Sequence, residues 1–252
     1  MSGKLFLVGL GPGDPGMQTP QATAALSVAT DLVGYGPYVD RVPPRPGLVR
    51  HVSDNREEIS RARHALELAA SGRQVVVVSS GDTGVFAMAS AVFEAIEHGD
   101  TEWRGIDVEV IPGISAMFAV AARVGAPLGH DFCAISLSDN LKPWEVVTGR
   151  LRAVAGAGFV IALYNPISRA RPWQLGAAFA LLRDILPTAT PVVFATAVSR
   201  ADEAVTVVSL ADADPARADM RTLVLIGSAA TRRIERAGAP PWLYTPRSVD
   251  AA

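Results

Sequence analysis

A single cysteine, Cys133, stands among 252 residues, so no internal disulfide can form and nothing points to an oxidising compartment. No apolar run approaches the roughly 20 residues of a membrane-spanning helix, so no membrane partner is expected. Lys4 leads straight into a strand-like run, without the apolar stretch and small-residue cleavage site of a signal peptide. A cytoplasmic protein is the expectation. Neither sign of charge is in surplus: 23 Lys and Arg face 25 Asp and Glu, a net charge of −2. That balance carries no polyanion-binding signature, and no nucleic-acid partner is expected. Nucleophile elbows, zinc-ligand spacings and lysine-bearing phosphate loops are missing too, which leaves hydrolase, metalloenzyme and NTPase readings without support. No metal is expected. With 49% of residues hydrophobic and 19% charged, a sizeable core is available to one large domain or two moderate ones.

What is present is a repeating strand–loop–helix pattern. Leu5-Phe6-Leu7-Val8 reads as a buried strand that ends in the cluster Gly9 to Gly16. A helix follows over Thr19 to Ala29, with Thr19 as N-cap and Pro20 at its first position. Asp31 to Tyr35 is a short second strand, and the proline- and arginine-rich stretch Arg41 to Arg50 is expected to be irregular. Helical spacing predicts a surface helix over Asn55 to Ala70. Gln74 to Ser79 is β-branched and uninterrupted, as in a buried parallel strand. It enters a second glycine loop, Ser80 to Gly84, and a helix from Val85 to about His98. Ile106 to Ile111 is a strand that turns through Pro112 to Ser115 into the helix Ala116 to Val124. Repeated βα units imply a mostly parallel sheet.

Gly125 to Gly129 reads as a domain boundary, giving an N-terminal domain over 1–125 and a C-terminal domain over 126–252. The second half offers strands at Phe132 to Leu137, Gly158 to Tyr164, Val192 to Ala197, Ala204 to Ser209 and Thr222 to Ile226. Helices are expected from Trp144 to Ala153 and from Trp173 to Leu186. Arg232-Arg233 look like an exposed helix face, and the last dozen residues like a tail. The fold class expected is α/β: two α/β domains with a ligand cleft between them.

The first glycine loop contains G-x-G-x-x-G as Gly11-Pro12-Gly13-Asp14-Pro15-Gly16. Two prolines remove N–H donors that would hold a pyrophosphate, and Asp14 puts negative charge where phosphate would sit. The loop therefore suits a cationic or neutral ligand better than a dinucleotide. Loops after parallel strands gather on one sheet edge. Gly9–Gly16, Ser80–Gly84 and Pro112–Ser115 can thus converge on one ligand. Tyr164-Asn165-Pro166, Ala195-Thr196-Ala197 and Gly227-Ser228 occupy analogous places in the second half.

The order and spacing of Val8-Gly9-Leu10-Gly11-Pro12-Gly13-Asp14-Pro15, Ser80-Gly81-Asp82 and Pro112-Gly113-Ile114-Ser115-Ala116 resemble the tetrapyrrole methylases. Gly125-Ala126-Pro127-Leu128, Tyr164-Asn165-Pro166 and Ala195-Thr196 continue the resemblance, which covers roughly residues 3 to 229. It implies an S-adenosylmethionine-dependent methyltransferase that releases S-adenosylhomocysteine, a homodimer, and a tetrapyrrole substrate. Carried over residue by residue, it implies donor-binding positions at Gly11, Pro12, Ser80, Gly81, Asp82, Val85, Ser115 and Ala116. In the second half these are Tyr164, Asn165, Ala195 and Thr222. A carboxylate such as Asp82 favours a nearby sulfonium and ammonium.

Gly34-Tyr35-Gly36-Pro37-Tyr38, Asp54 to Glu58, and His130-Asp131-Phe132 with Ser136 to Asp139 look like one branch of that family. That branch methylates precorrin-3B at ring carbon 17, with ring contraction to precorrin-4, in cobalamin biosynthesis. The uroporphyrinogen branch has an aspartate where Gly36 stands here. Placing the substrate carbon in line with the methyl group contributes on the order of 7–11 kcal/mol in well-oriented systems. Ring contraction also needs proton transfer, for which His130, Asp139 and Tyr164 are the candidates, with Lys142 beside them. Substrate carboxylates call for basic partners, and Arg41, Arg45, Arg50 and Arg56 in or near the proline loop are the candidates. A sister enzyme acting on precorrin-4 or a cobalt-precorrin, a nucleotide-dependent oxidoreductase and a non-catalytic tetrapyrrole carrier remain as alternatives.

Overall fold

A computed structural model describes residues 3–54 and 57–248, in two compact units, Met1–Ser115 and Ala116–Ala252. The division falls at Ser115 rather than at Gly125, because the helix Ala116–Val124 packs its buried face, Met117, Val120 and Val124, into the core of the second unit.

In the first unit, strands β1 (Lys4–Gly9), β2 (Asp31–Tyr35), β3 (Val49–Ser53), β4 (Gln74–Ser79) and β5 (Asp107–Ile111) form one sheet in the order β3-β2-β4-β1-β5. Every pairing in it is parallel. Helices α1 (Pro20–Val28), α2 (Gly36–Val39), α3 (Glu58–Ala70) and α4 (Met88–His98) connect the strands. Strand periodicity sorts the core into two layers. Leu5, Leu7, Val75 and Val77 pack under α3 and α4, whereas Phe6, Val8, Val76 and Val78 pack under α1 and α2. Thr19 caps α1 by accepting from Ala22 N at 3.1 Å, with Pro20 in the first turn, as its sequence requires. β3 is a correction to the irregular loop expected over Arg41 to Arg50: the chain regains strand form at Val49 by pairing with β2.

The second unit contains α5 (Ala116–Val124), β6 (Gly125–Ala126), β7 (Phe132–Ser136), α6 (Trp144–Gly156), β8 (Val160–Tyr164), α7 (Gln174–Arg183), β9 (Pro191–Thr196), β10 (Ala204–Ser209), β11 (Thr222–Ile226), β12 (Arg232–Arg236) and β13 (Ala239–Tyr244). Its main sheet runs β10-β9-β11-β8-β7. Only β7 and β8 pair in parallel; β11 runs against both β8 and β9, and β10 against β9. The parallel expectation therefore holds for the first sheet alone. Ile161, Leu163, Phe194 and Val224 face α6 and α7, while Ala162, Val193, Ala195 and Leu225 face α5.

Two expectations for the C-terminal segment are corrected. Arg232 and Arg233 lie on β12, not on a helix, since the strand forms a hairpin with β13. The first part of the supposed tail is structured: β13 pairs with β6 in parallel and buries Leu243 to 1% exposure. No helix among the described residues is long and apolar enough to cross a membrane.

Candidate functional site

In the first unit, the carboxyl ends of β1, β4 and β5 are locked together through main chain. Gly11 and Gly81 bridge each other, Gly11 N donating to Gly81 O at 3.1 Å and Gly81 N to Gly11 O at 2.9 Å. Both sit in the left-handed region, at φ 69° and 65°, which only glycine adopts without steric cost. The third turn presses equally close. A Cβ on Gly113 would lie 2.2 Å from Gly81 O, and one on Gly9 would lie 2.7 Å from Gly113 N. The chain leaves β1 towards α1 on one face of the sheet and β4 towards α4 on the other. Adjacent strands whose connections part in this way mark the edge where α/β sheets take their ligands.

Asp82 fastens this lock. Its Oδ1 accepts from Gly84 N at 2.7 Å, and its Oδ2 accepts from Gly113 N at 2.9 Å, joining the second turn to the third. Asp14, expected to repel phosphate, turns its Oδ1 to Gly16 N at 2.7 Å and shapes the first loop. Pro12, Gly81 and Ser115 are buried at this edge, and Ser80 and Val85 are half-buried. A cavity of about 410 Å³ opens beside the first loop, lined by Leu10, Gly13, Pro15, Gln18, Arg41 and Pro43.

The four arginines expected near the proline loop separate. Arg41 borders that cavity and donates to Leu10 O at 2.8 Å and Ser80 Oγ at 3.2 Å. Arg45 instead caps the end of α1, donating to the carbonyls of Leu26 and Ala29. Arg50 donates to Val39 O at 2.5 Å and Val42 O at 2.6 Å, holding the chain after α2. These two guanidiniums serve the fold, a correction to their expected part in substrate binding. Arg56 lies outside the described residues.

In the second unit, the antiparallel course of β11 decides which positions meet. β8 and β9 end where β11 begins, so Tyr164, Asn165, Ala195 and Thr222 share one sheet edge. Gly227-Ser228, at the far end of β11, lies on the other edge, a correction to its expected place. Tyr164 Oη accepts from Met117 N at 3.2 Å, satisfying an amide at the start of α5, next to Ala116. Asn165, at φ 51°, donates through Nδ2 to Ser136 Oγ at 3.0 Å. Thr222 Oγ1 contacts Thr196 Oγ1 at 2.7 Å and is within 2.9 Å of Asp219 Oδ1. Ala195 packs in the core at 1% exposure, so any ligand contact there comes from main chain.

Asp139 stands just past β7 on the same edge as Tyr164, its Oδ2 accepting from Gln174 Nε2 at 3.0 Å. His130 precedes β7. The five residues Phe132–Ser136 put it at the opposite end of that strand, whose length is about 16 Å at 3.3 Å per residue. Grouping His130 with Asp139 and Tyr164 is therefore corrected. Lys142 keeps its place near Asp139, with its ammonium pKa held below the usual value by burial and then by Arg150. Cys133 is no candidate nucleophile, because burial pushes its thiol up to about 11. Among the described residues no three His, Cys, Asp or Glu side chains gather as a metal site.

Two features escaped the sequence. Phe86, half exposed on the second turn, is held at φ 51°, an unusual state for a bulky side chain. Arg61, 4% exposed, donates to Ser53 Oγ at 2.7 Å, to Met88 Sδ at 3.2 Å and to Asp54 O. It ties the end of β3 to the start of α4, and neither residue announces this by local pattern.

The chain matches the Tetrapyrrole (Corrin/Porphyrin) Methylases over residues 4–214, a span that holds both sets of strand-end turns apart from Thr222. It belongs to that family. Tetrapyrrole methylases use S-adenosylmethionine, and as one of them the chain is an S-adenosylmethionine-dependent methyltransferase. It is 59% identical over 247 residues to a precorrin-3B C(17)-methyltransferase of Sinorhizobium sp, covering 98% of this chain and 97% of the relative. It is 52% identical over 236 residues to the cobalamin biosynthesis protein CobIJ of Mycobacterium tuberculosis, covering 92% of this chain and 46% of that protein. Among solved structures, the methyltransferase CobJ superposes with a TM-score of 0.93 at 55% identity, covering 97% of this chain and all of that one.

Proposed function

We propose that this tetrapyrrole methylase transfers a methyl group from S-adenosylmethionine to carbon 17 of precorrin-3B, with ring contraction to precorrin-4, in cobalamin biosynthesis. The observation that supports the substrate is the near full-length likeness to the Sinorhizobium enzyme. The fit of the donor rests on the glycine lock, where main chain packs too closely to admit a Cβ. Main-chain groups of the loops around the lock, beyond those that Gly11, Gly81 and Gly113 spend on one another and on Asp82, are of the kind that hydrogen-bond an adenine and the two ends of a methionine, and the prolines of the first loop disfavour a pyrophosphate. Bound there, the donor supplies an electrophilic methyl.

Gly11, Pro12, Ser80, Gly81, Val85, Ser115 and Ala116 are the proposed holding positions in and next to the first unit. Tyr164, Asn165, Ala195 and Thr222 are those of the second. Asp82 acts by keeping the third turn on the second, both carboxylate oxygens being engaged by amides. Arg41, at the cavity, is the proposed partner of a substrate carboxylate. Asp139 and Tyr164 are the proposed proton carriers for ring contraction, from their shared edge. Homodimerisation and a cytoplasmic location complete the reading, in keeping with a soluble small-molecule pathway.

Anaerobic incubation with precorrin-3B and donor carrying a labelled methyl group tests it. The expected product carries the label at carbon 17 on a contracted ring. Label at another carbon would assign the chain to a sister reaction, and binding of NAD in place of S-adenosylhomocysteine would overturn the reading.

A further inference from the structure

Two tripeptides repeat a basic–proline–tryptophan pattern: Lys142-Pro143-Trp144 before α6 and Arg171-Pro172-Trp173 before α7. Trp144 opens α6, and Trp173 is the residue that caps α7. Because β7 and β8 are parallel neighbours, the two turns leave the same edge of the sheet side by side. Two contacts brace them. The rings of Trp144 and Trp173 meet edge to face with centroids 5.0 Å apart, and Gln174 at the start of α7 holds Asp139 in the other turn. Trp144 packs down on the core, whereas Trp173 keeps 49% of its surface exposed.

The polar groups of this place are incompletely matched. Among the described residues, neither Lys142 nor Arg171 takes part in an ion pair, and Arg171 Nη1 donates only to the carbonyl of Asn165, at 3.1 Å. The backbone of Arg171 makes reciprocal bonds with Ser168 of 3.0 and 3.1 Å, which close the turn that carries its side chain. Gln174 is 1% exposed, and its Oε1 has no partner although Nε2 of the same amide is engaged. A buried acceptor left unpaired is costly, and this one belongs to the side chain that links the two turns. Two cations partly withdrawn from water, at the positive ends of two helices, gain from an anion.

We propose that the paired basic–proline–tryptophan turns form a subsite for one carboxylate-bearing arm of the substrate, with the exposed ring of Trp173 against the flat apolar rim of the macrocycle. Lys142 and Arg171 take the carboxylate, and Gln174 accepts a neighbouring donor. This rests on the reading of the substrate as a polycarboxylate tetrapyrrole.

The test uses the full chain, with precorrin-3B and labelled donor under anaerobic conditions, and calorimetry with S-adenosylhomocysteine alongside. Lys142→Gln and Arg171→Gln are each expected to raise KM for the tetrapyrrole about tenfold, as loss of a charge-assisted contact does. Donor affinity and melting temperature are expected to stay at the wild-type values in Lys142→Gln, whereas Arg171→Gln also gives up its bond to Asn165 O, and Arg171→Lys is expected to recover part of the loss. An unchanged KM in the double variant overturns the subsite. So does a KM that rises only together with lost donor affinity and a lowered melting temperature, which makes the turns a purely structural brace. A wild-type chain that neither binds nor methylates precorrin-3B overturns the function reading and takes this subsite with it.

Discussion

Replacing Gly113 by alanine strikes the glycine lock with a single methyl group. The added Cβ would lie 2.2 Å from Gly81 O and 2.7 Å from Gly9 O. The first distance is roughly 1 Å inside an ordinary carbon–oxygen contact. Both obstacles are main chain, so no rotamer change relieves them, and the third turn has to part from the other two. Overpacking of this kind costs about 1–3 kcal/mol, and more where backbone must move. For the unit Met1–Ser115, at about 4 °C per kcal/mol, that corresponds to a melting temperature roughly 4–12 °C lower. Parting the turns also displaces Gly81 and Ser115, so affinity for S-adenosylhomocysteine should fall at least about tenfold, equivalent to 1.4 kcal/mol. Gly149→Ala is the matching control. Gly149 lies exposed within α6 with no atom within 4 Å of the new Cβ, so the change should stabilise by about 0.5–1 kcal/mol. Calorimetric melting and titration with S-adenosylhomocysteine read both quantities. A Gly113→Ala protein that melts with the wild type and binds the product equally well would refute the lock.

Asp82→Ala removes the clasp between the second and third turns. Water replaces the partner of the exposed Gly84 amide, so the loss falls mainly on Gly113 and should reach about 1.5–3 kcal/mol in a urea titration. Asp82→Asn keeps an acceptor and should recover part of it, and a midpoint unmoved by either change would refute the clasp. Asp31 governs acid behaviour. Burial pushes its carboxyl up, but hydrogen bonds from Arg73, Thr30 and His51 outweigh this and hold it below the ordinary 3.8. A depressed folded value means that the stabilisation is complete above about pH 4 and is lost as pH falls through that lower value. Asp31→Asn should be less stable at pH 7 yet flatter between pH 4 and 2, and an acid slope equal to the wild type in melting curves would count against this role.

The sequence made some elements legible because their causes are local. Thr19 and Pro20 announced α1, and the β-branched run before Ser80 announced β4. The convergence of three turns was legible too, since it follows from parallel strands alone. What it could not carry was partner choice across the chain. β3 hid behind the prolines because Val49–Ser53 is a strand only through its pairing with β2. Arg232-Arg233 looked like a helix face, since the strand form of β12 depends on the hairpin with β13. Reversal of β11 moved Gly227 to one edge and Thr222 to the other, and strand direction is not written in composition. Arg45 and Arg50 looked like ligand clamps because nothing in their neighbours reveals the distant carbonyls that claim them.

The position of β11 sets a limit on dissecting this enzyme. The match to the family as a whole runs over residues 4–214, whereas Thr222–Ile226 forms the middle strand of the second sheet, seated between β8 and β9. A fragment cut to the shared span would leave two inner strands with their ladders open along their whole length, an invitation to stick to other chains. It would also forfeit Thr245, whose hydroxyl anchors the hairpin to Pro127 O at 2.6 Å. The span matched across the whole family and the smallest stable piece of this protein therefore have different borders.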